Sequence, residues 1–381
     1  MDLSPETDFS RKILDFAIVT LTTCAAFLFI FRTGNIKDGI VKPFDFLIAI
    51  TGLFLLFSLT YPHFRNKIKS VKKDLYFYLF SFFLILLSIA IGQVISLFFY
   101  GNTNISATTL LYIKVIFNSY VFLIIAFLVY SFPGMLSKIN KAMFLSPILI
   151  IPVIFGRFKN AYYNSIRLNG LFSDPNVFGS LLIVIFLIGL ALFLDAKKAW
   201  YKYLIVGWLG FIANLIFLTS SRSAWISLLF GIFIWVCIYF FTKQKKRVFS
   251  LIVATTISLV VGFFFIPNNT KPYFIDRFFG EKIVRILIQK ENLPNFVSQY
   301  KYGLISNQIR PFIWKFALVN IKKNPLGFGF VYLNKNPSVI KGEAVDFTSN
   351  IFLEITIYGG IMGLFAFLLF LLRIGGEFKR Y

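Results

Sequence analysis

The chain has 381 residues, of which 58% are hydrophobic and only 14% charged, with a mean hydropathy of +0.78. These values exclude a soluble globular domain and require a polytopic membrane protein. The net charge is +23, from 39 lysines and arginines against 16 acidic residues; a single histidine, His63, and two cysteines without metal-ligand spacing, Cys24 and Cys237, leave no metal or cofactor expected.

Ten apolar runs approach the roughly 20 residues that a helix needs to cross a bilayer. They lie at Ile13 to Phe31, Phe44 to Tyr61, Leu75 to Tyr100, Leu110 to Phe132, Ala142 to Phe155, Pro175 to Leu194, Trp200 to Thr219, Ser223 to Phe241, Val248 to Ile266 and Phe347 to Leu372, the fifth being short. Met1 to Ser10 carries Asp2, Glu6 and Asp8 without a basic residue, so the first run is read as a retained helix rather than a signal peptide. Basic residues collect in alternate connections: Arg65, Lys67, Lys69, Lys72 and Lys73; Lys138 and Lys141; Lys197, Lys198 and Lys202; Lys243, Lys245, Lys246 and Arg247. By the positive-inside rule these connections and both termini are cytoplasmic. The expected fold is therefore an all-α polytopic membrane protein of about ten transmembrane helices with one large extracytoplasmic loop carrying short helices. Four regions follow: N-terminal helices over 1–156, central helices with arginine-bearing outer loops over 157–266, the large loop over 267–345, and a last helix with its cytoplasmic tail over 346–381.

On the predicted outer side, Arg157 and Arg167 precede the sixth run, which opens Asp174-Pro175-Asn176, an N-cap followed by proline at the first helical position. Ser221-Arg222-Ser223 opens the eighth, so Arg222 also stands at a helix N-terminus. The connection from Pro267 to Val345 is far longer than a bundle needs, with twelve basic residues against four acidic ones, and it contains apolar periodicity over Phe274 to Leu287 and Phe312 to Ile321. Within it, Arg310 stands at the entrance of a helix begun by Pro311, Trp314 falls one turn further on the same face to pack the arginine or stack on a sugar, and the helix ends at Asn324-Pro325 before a turn through Gly327 and Gly329. Guanidinium groups at a bilayer boundary are costly unless an anion meets them, and a helix N-terminus adds free N–H donors. Arg157, Arg167, Arg222 and Arg310 therefore point to a phosphate-bearing lipid.

The order of these motifs, closed by Ser349-Asn350-Ile351-Phe352-Leu353-Glu354 with Gly360 and Gly363, resembles the O-antigen ligase and polymerase family over Arg157 to Leu372. The resemblance implies an enzyme of the bacterial inner membrane that takes an undecaprenyl-diphosphate-linked oligosaccharide at the outer face and transfers its reducing-end sugar without nucleotide sugar or metal. It makes the four arginines diphosphate ligands, places Trp314 and Asn350 on the glycan, and implies membrane lipids, a chain-length regulator and a flippase as partners, with no nucleic acid. Ligases of the family carry a histidine where Ser349 stands, and His63, in a predicted cytoplasmic loop, cannot replace it. This departure favours polymerisation of repeat units into O-antigen or a related surface polysaccharide over ligation to lipid A core, and leaves Asp346, then Glu343, as candidates for the general base. A non-catalytic flippase would need polar residues along a path through the bundle; here they concentrate in outer loops, with Glu354 the deepest, a position that also suits a helix-packing partner for an arginine.

Cysteines introduced at Ser106 and Ser338 should react with an impermeant thiol reagent from outside, and one at Ser70 should not. Labelling at Ser70 without labelling at Ser338 would reverse the topology.

Overall fold

The computed structural model describes residues 5–28, 50–51, 53, 62–100, 128–129, 132, 134–152, 163–164, 167–168, 175–242, 244–266, 268, 314–315, 317–329, 338–340, 343–345 and 351–378. Among the described residues the α-helices are α1 (Pro5–Leu28), α2 (Pro62–Tyr100), α3 (Met135–Leu145), α4 (Pro175–Asp195), α5 (Ala199–Thr219), α6 (Arg222–Phe241), α7 (Lys245–Phe264) and α8 (Ile351–Phe378). Two small antiparallel hairpins accompany them, β1 (Tyr163–Asn164) with β2 (Arg167–Leu168) and β3 (Ser338–Ile340) with β4 (Glu343–Val345). The all-α membrane class holds, and the hairpins are additions that apolar periodicity does not signal.

Six of the ten expected spans are long and apolar enough to cross a membrane among the described residues: Tyr76–Ile95, Pro175–Asp195, Ala199–Thr219, Arg222–Phe241, Lys245–Phe264 and Phe352–Leu372. The first run forms a helix whose apolar part, Asp15–Phe27, is shorter. The second and fourth runs lie largely outside the described residues. The fifth is described only as far as residue 152: its helix starts at Met135 and tightens over Ser146–Ile150 to a 3₁₀ segment. Pro147 supplies no N–H to an α-ladder, and the Ser146 hydroxyl donates back to the Met143 carbonyl at 2.7 Å, tightening the turn. A count of about ten spans is therefore not carried by the structure.

The chain separates into two compact units, Met1–Ser58 with Pro133–Tyr300, and Leu59–Phe132 with Lys301–Tyr381. In the first, α4 to α7 enclose a core containing Phe178, Phe186, Leu182, Leu209, Ile212 and Ile216. Helices in lipid gain little from the hydrophobic effect, so close approach must come from small residues and interhelical hydrogen bonds. The α5–α7 contact uses both. Asn214 donates through Nδ2 to the Gly262 carbonyl at 2.9 Å, and Ser258 Oγ reaches the Val206 carbonyl at 3.4 Å. The Phe144 carbonyl at the end of α3 accepts from Trp208 Nε1 at 2.7 Å, tying α5 to the point where the helix tightens.

In the second unit α2 lies along α8. Helical residues 314–315 and 317–323 are followed by a turn, as the Asn-Pro and glycine signals predict. Helix α8 is interrupted at Gly360, whose φ of 63° and ψ of −163° suit only glycine. The segment Pro325–Gly329 fills the gap: Phe328 N–H donates to the Ile357 carbonyl at 2.7 Å, and Ile361 N–H donates to the Pro325 carbonyl at 2.9 Å. Phe328 buries itself with Ala317 and Ile357. A broken helix at membrane depth is tolerated where other protein groups satisfy the freed backbone, and this strap does so.

A side chain at Gly262 would meet Ala213 Cβ at 2.7 Å and the Asn214 amide nitrogen at 2.8 Å, whereas one at Gly207 would meet nothing within 4 Å. Gly262→Val should cost about 1–3 kcal/mol of stability through overpacking. Gly207→Ala should leave stability unchanged or slightly raised. Thermal unfolding of both variants in detergent tests the crossing; equal melting would mean that α5 and α7 do not meet there.

Candidate functional site

Helices α5 and α6 reverse direction through only two residues, Ser220 and Ser221. Ser220 adopts the left-handed region at φ 48° and ψ 35°, and its N–H donates to the Phe217 carbonyl at 2.9 Å. Ser221 is extended and caps α6, its Oγ accepting from the Ala224 N–H at 3.3 Å and lying 3.0 Å from Ser223 Oγ. Thr219 Oγ1 donates to the Ile216 carbonyl at 2.7 Å and accepts the Ser221 N–H at 3.4 Å. Three consecutive hydroxyl residues, all buried, therefore close a turn whose backbone would otherwise lose its partners. Gly179 near the start of α4 seats this turn, since a Cβ there would stand 3.0 Å from Ala224 Cβ and 3.1 Å from Thr219 Oγ1.

Arg167 is held against the same turn. In the β1–β2 hairpin it pairs with Asn164, while its neighbour Leu168 is fully buried and pins the strand to the core. Arg167 Nε donates to the Thr219 carbonyl at 2.9 Å, and its Nη2 donates to Asn176 Oδ1 at 2.9 Å. One guanidinium thus bridges the C-terminal end of α5, where a cation is favoured, and the first turn of α4. Arg222 is the first residue of α6, immediately after its cap, and is half-buried. Two arginines and the N-terminal turns of α4 and α6 therefore share one rim of this unit, an arrangement suited to anionic oxygens.

In the second unit, Trp314 is 40% exposed on the helix that precedes the strap. Glu343 opens β4, opposite Ile340 in the hairpin. Glu354 is partly buried on α8, one turn before Tyr358. Arg157, Arg310, Asp346, Ser349 and Asn350, and the expected cap Asp174, lie outside the described residues. Among the described residues no group of His, Cys, Asp and Glu is arranged to hold a metal ion.

Asn176, no more than part of a motif in the sequence, and the Thr219 carbonyl both fix Arg167. The usable signal was an asparagine directly after the helix-initiating Pro175, whose side chain projects from the first turn. A main-chain carbonyl carries no sequence signal at all.

An apolar protein with six described helices long and apolar enough to cross a membrane is a multi-pass membrane protein, here with Arg167 held against a closed turn that Arg222 follows. Residues 207–368 match the family model described as O-antigen ligase. The match contains Arg222, Arg310, Trp314, Asn350 and the glycine break at Gly360, and bears out the family resemblance over that stretch; Arg157 and Arg167 lie before it. No curated protein and no solved structure matches the chain.

Arg167→Lys removes the fork that reaches Thr219 and Asn176 together, and should destabilise the protein by about 1–3 kcal/mol. Asn176→Ala should cost less, because the bond to Thr219 survives. Denaturant unfolding of the purified variants checks this, and a wild-type midpoint for Arg167→Lys would show that the bridge carries no stability.

Proposed function

We propose that the protein polymerises undecaprenyl-diphosphate-linked oligosaccharide repeat units into O-antigen or a related surface polysaccharide at the outer face of the bacterial inner membrane. The observation that carries this reading is the Arg167–Arg222 rim, with Arg167 held by two hydrogen bonds beside the capped start of α6. The family match over residues 207–368 supports glycan transfer of the ligase or polymerase type in polysaccharide biosynthesis.

In the proposed reaction an acceptor hydroxyl attacks the anomeric carbon of the lipid-linked sugar. The new glycosidic C–O bond forms as the bond to the diphosphate breaks, and the bonding pair leaves with the phosphate oxygen. Arg167 and Arg222, and by the sequence reading Arg157 and Arg310, stabilise the charge that develops on this leaving group. At an effective dielectric near 20, unit charges 4 Å apart attract by about 4 kcal/mol before desolvation, so one arginine can decide the rate. A guanidinium already fixed by protein contacts needs little reorganisation as charge appears. The acceptor proton goes to Asp346, with Glu343 as the alternative, while Trp314 and Asn350 contact sugar. The lipid donor, surrounding membrane lipids, a chain-length regulator and a flippase are the partners of this reading, and it requires no metal or cofactor.

Two observations pull between polymerase and ligase. The matched model is described as the ligase, which favours transfer of finished glycan to lipid A core. Ser349 stands where the resembled ligases hold a histidine, which favours polymerase, and we adopt the second.

Arg222→Ala should lower transfer by about 10²-fold or more at matched expression, with lysine rescuing only in part. Asp346→Asn should reduce chain elongation while preserving binding of the lipid-linked donor. Purified protein given a lipid-diphosphate oligosaccharide should yield a ladder of longer lipid-linked chains. In cells, deletion should leave single repeat units on the acceptor; long chains accumulating on undecaprenyl diphosphate with no surface attachment would identify a ligase instead.

A further inference from the structure

The strap Pro325–Gly329 meets α2 as well as α8. Gly92 leaves the space: a Cβ there would lie 2.6 Å from the Tyr358 carbonyl and 2.8 Å from the Gly329 amide nitrogen. Gly329, at φ +59°, rests on the next residue of α2, since a Cβ on it would lie 2.5 Å from Gln93 Cα, 2.6 Å from its backbone nitrogen and 2.7 Å from its Oε1. Gln93 is 9% exposed, and its Oε1 is sealed from solvent without a hydrogen-bond partner among the described residues. A buried carbonyl left unsatisfied is a standing cost that ends when water reaches it.

We propose that the strap is a releasable latch carrying the Trp314 helix, with the Gln93 carbonyl as the element that keeps it releasable. The strap is internally braced and can move as a body: Asn324 Nδ2 donates to the Gly327 carbonyl at 2.7 Å, and the Gly327 N–H donates to the Asn324 carbonyl at 3.2 Å. Its attachments to α8 include the two backbone hydrogen bonds across the Gly360 break, the close backbone fit of Gly327 against Gly360, and Phe328 packed with Ala317 and Ile357. Against these attachments stands the uncompensated Gln93 oxygen, which gains a water only when Gly329 lifts. A glutamine on this face of α2 lowers the stability of the seated state, whereas an apolar residue of the same length would secure it. Release takes the Trp314 helix away from α8. Its use in passing a growing glycan rests on the proposed function; the latch itself does not.

The test uses the full-length protein in nanodiscs with Cys24 and Cys237 replaced by serine and Ala317→Cys as reporter, a position 1% exposed beneath Phe328. A soluble maleimide should label this thiol slowly. Gln93→Met keeps the side-chain length, removes the orphaned oxygen and should slow labelling by about tenfold or more. Gly329→Ala, which forces a methyl onto Gln93, should accelerate it by a similar factor. An unchanged or faster rate in Gln93→Met overturns the proposal. Should that variant fail to fold, Gly329→Ala decides, and labelling no faster than the parent overturns it. Labelling needs no substrate, so glycan transfer assayed on the same proteins reads the proposed function separately.

Discussion

The hydrocarbon interior offers no partner to a backbone N–H or carbonyl, and the architecture depends on this constraint. Regular helices satisfy it within themselves. The informative places are those where a helix stops or breaks and another part of the chain must supply the missing bonds. Two such places stand out among the described residues. At the α5–α6 turn the hydroxyls of Thr219 and Ser221 and the guanidinium of Arg167 take up the exposed groups. At Gly360 the strap takes them up with its own main chain.

The two solutions differ in consequence. The first brings a charge to the turn and fixes it there, so the same arginine that completes the fold is presented at a rim with Arg222 and two helix N-termini. A fixed guanidinium is useful for catalysis because its orientation is settled before charge develops on a leaving group. On the proposed function its structural and chemical roles are one arrangement, and a variant that breaks the bridge should lose both. The second solution brings backbone against backbone and depends on glycines that leave no room for a Cβ. It joins the helix bearing Trp314 to the last span through main-chain hydrogen bonds and the buried Phe328.

Small residues serve the same end elsewhere. Gly262 and Ala213 allow α5 and α7 to approach until Asn214 can reach a main-chain carbonyl. Where lipid weakens the hydrophobic drive between helices, such bonds and close contacts hold the bundle. The large Phe content is consistent with this division: Phe178 and Phe186 fill the core, while Phe230, Phe240 and Phe241 remain exposed on α6, a span apolar enough to face lipid.

The sequence by itself determined the membrane class, because length and apolar content define a span without reference to any other part of the chain. It also determined the ends of α4 to α7 within a few residues and the turn after Lys323, since proline, serine caps and glycine act locally, and it carries a family resemblance over residues 207–368. Tertiary structure decided the rest. Within the expected fifth span Ser146–Ile150, with Pro147, tightens to a 3₁₀ segment, and two hairpins too short for a periodic signal formed beside the helices. The partners of Arg167 were illegible because one is a main-chain carbonyl 52 residues away, identical in every amino acid. The break at Gly360 was equally hidden: a glycine inside an apolar run reads as tolerated, and only the strap that enters from a distant part of the chain makes its positive φ necessary. Patterns along a chain encode which groups will need partners, but which partners they find is set by long-range packing.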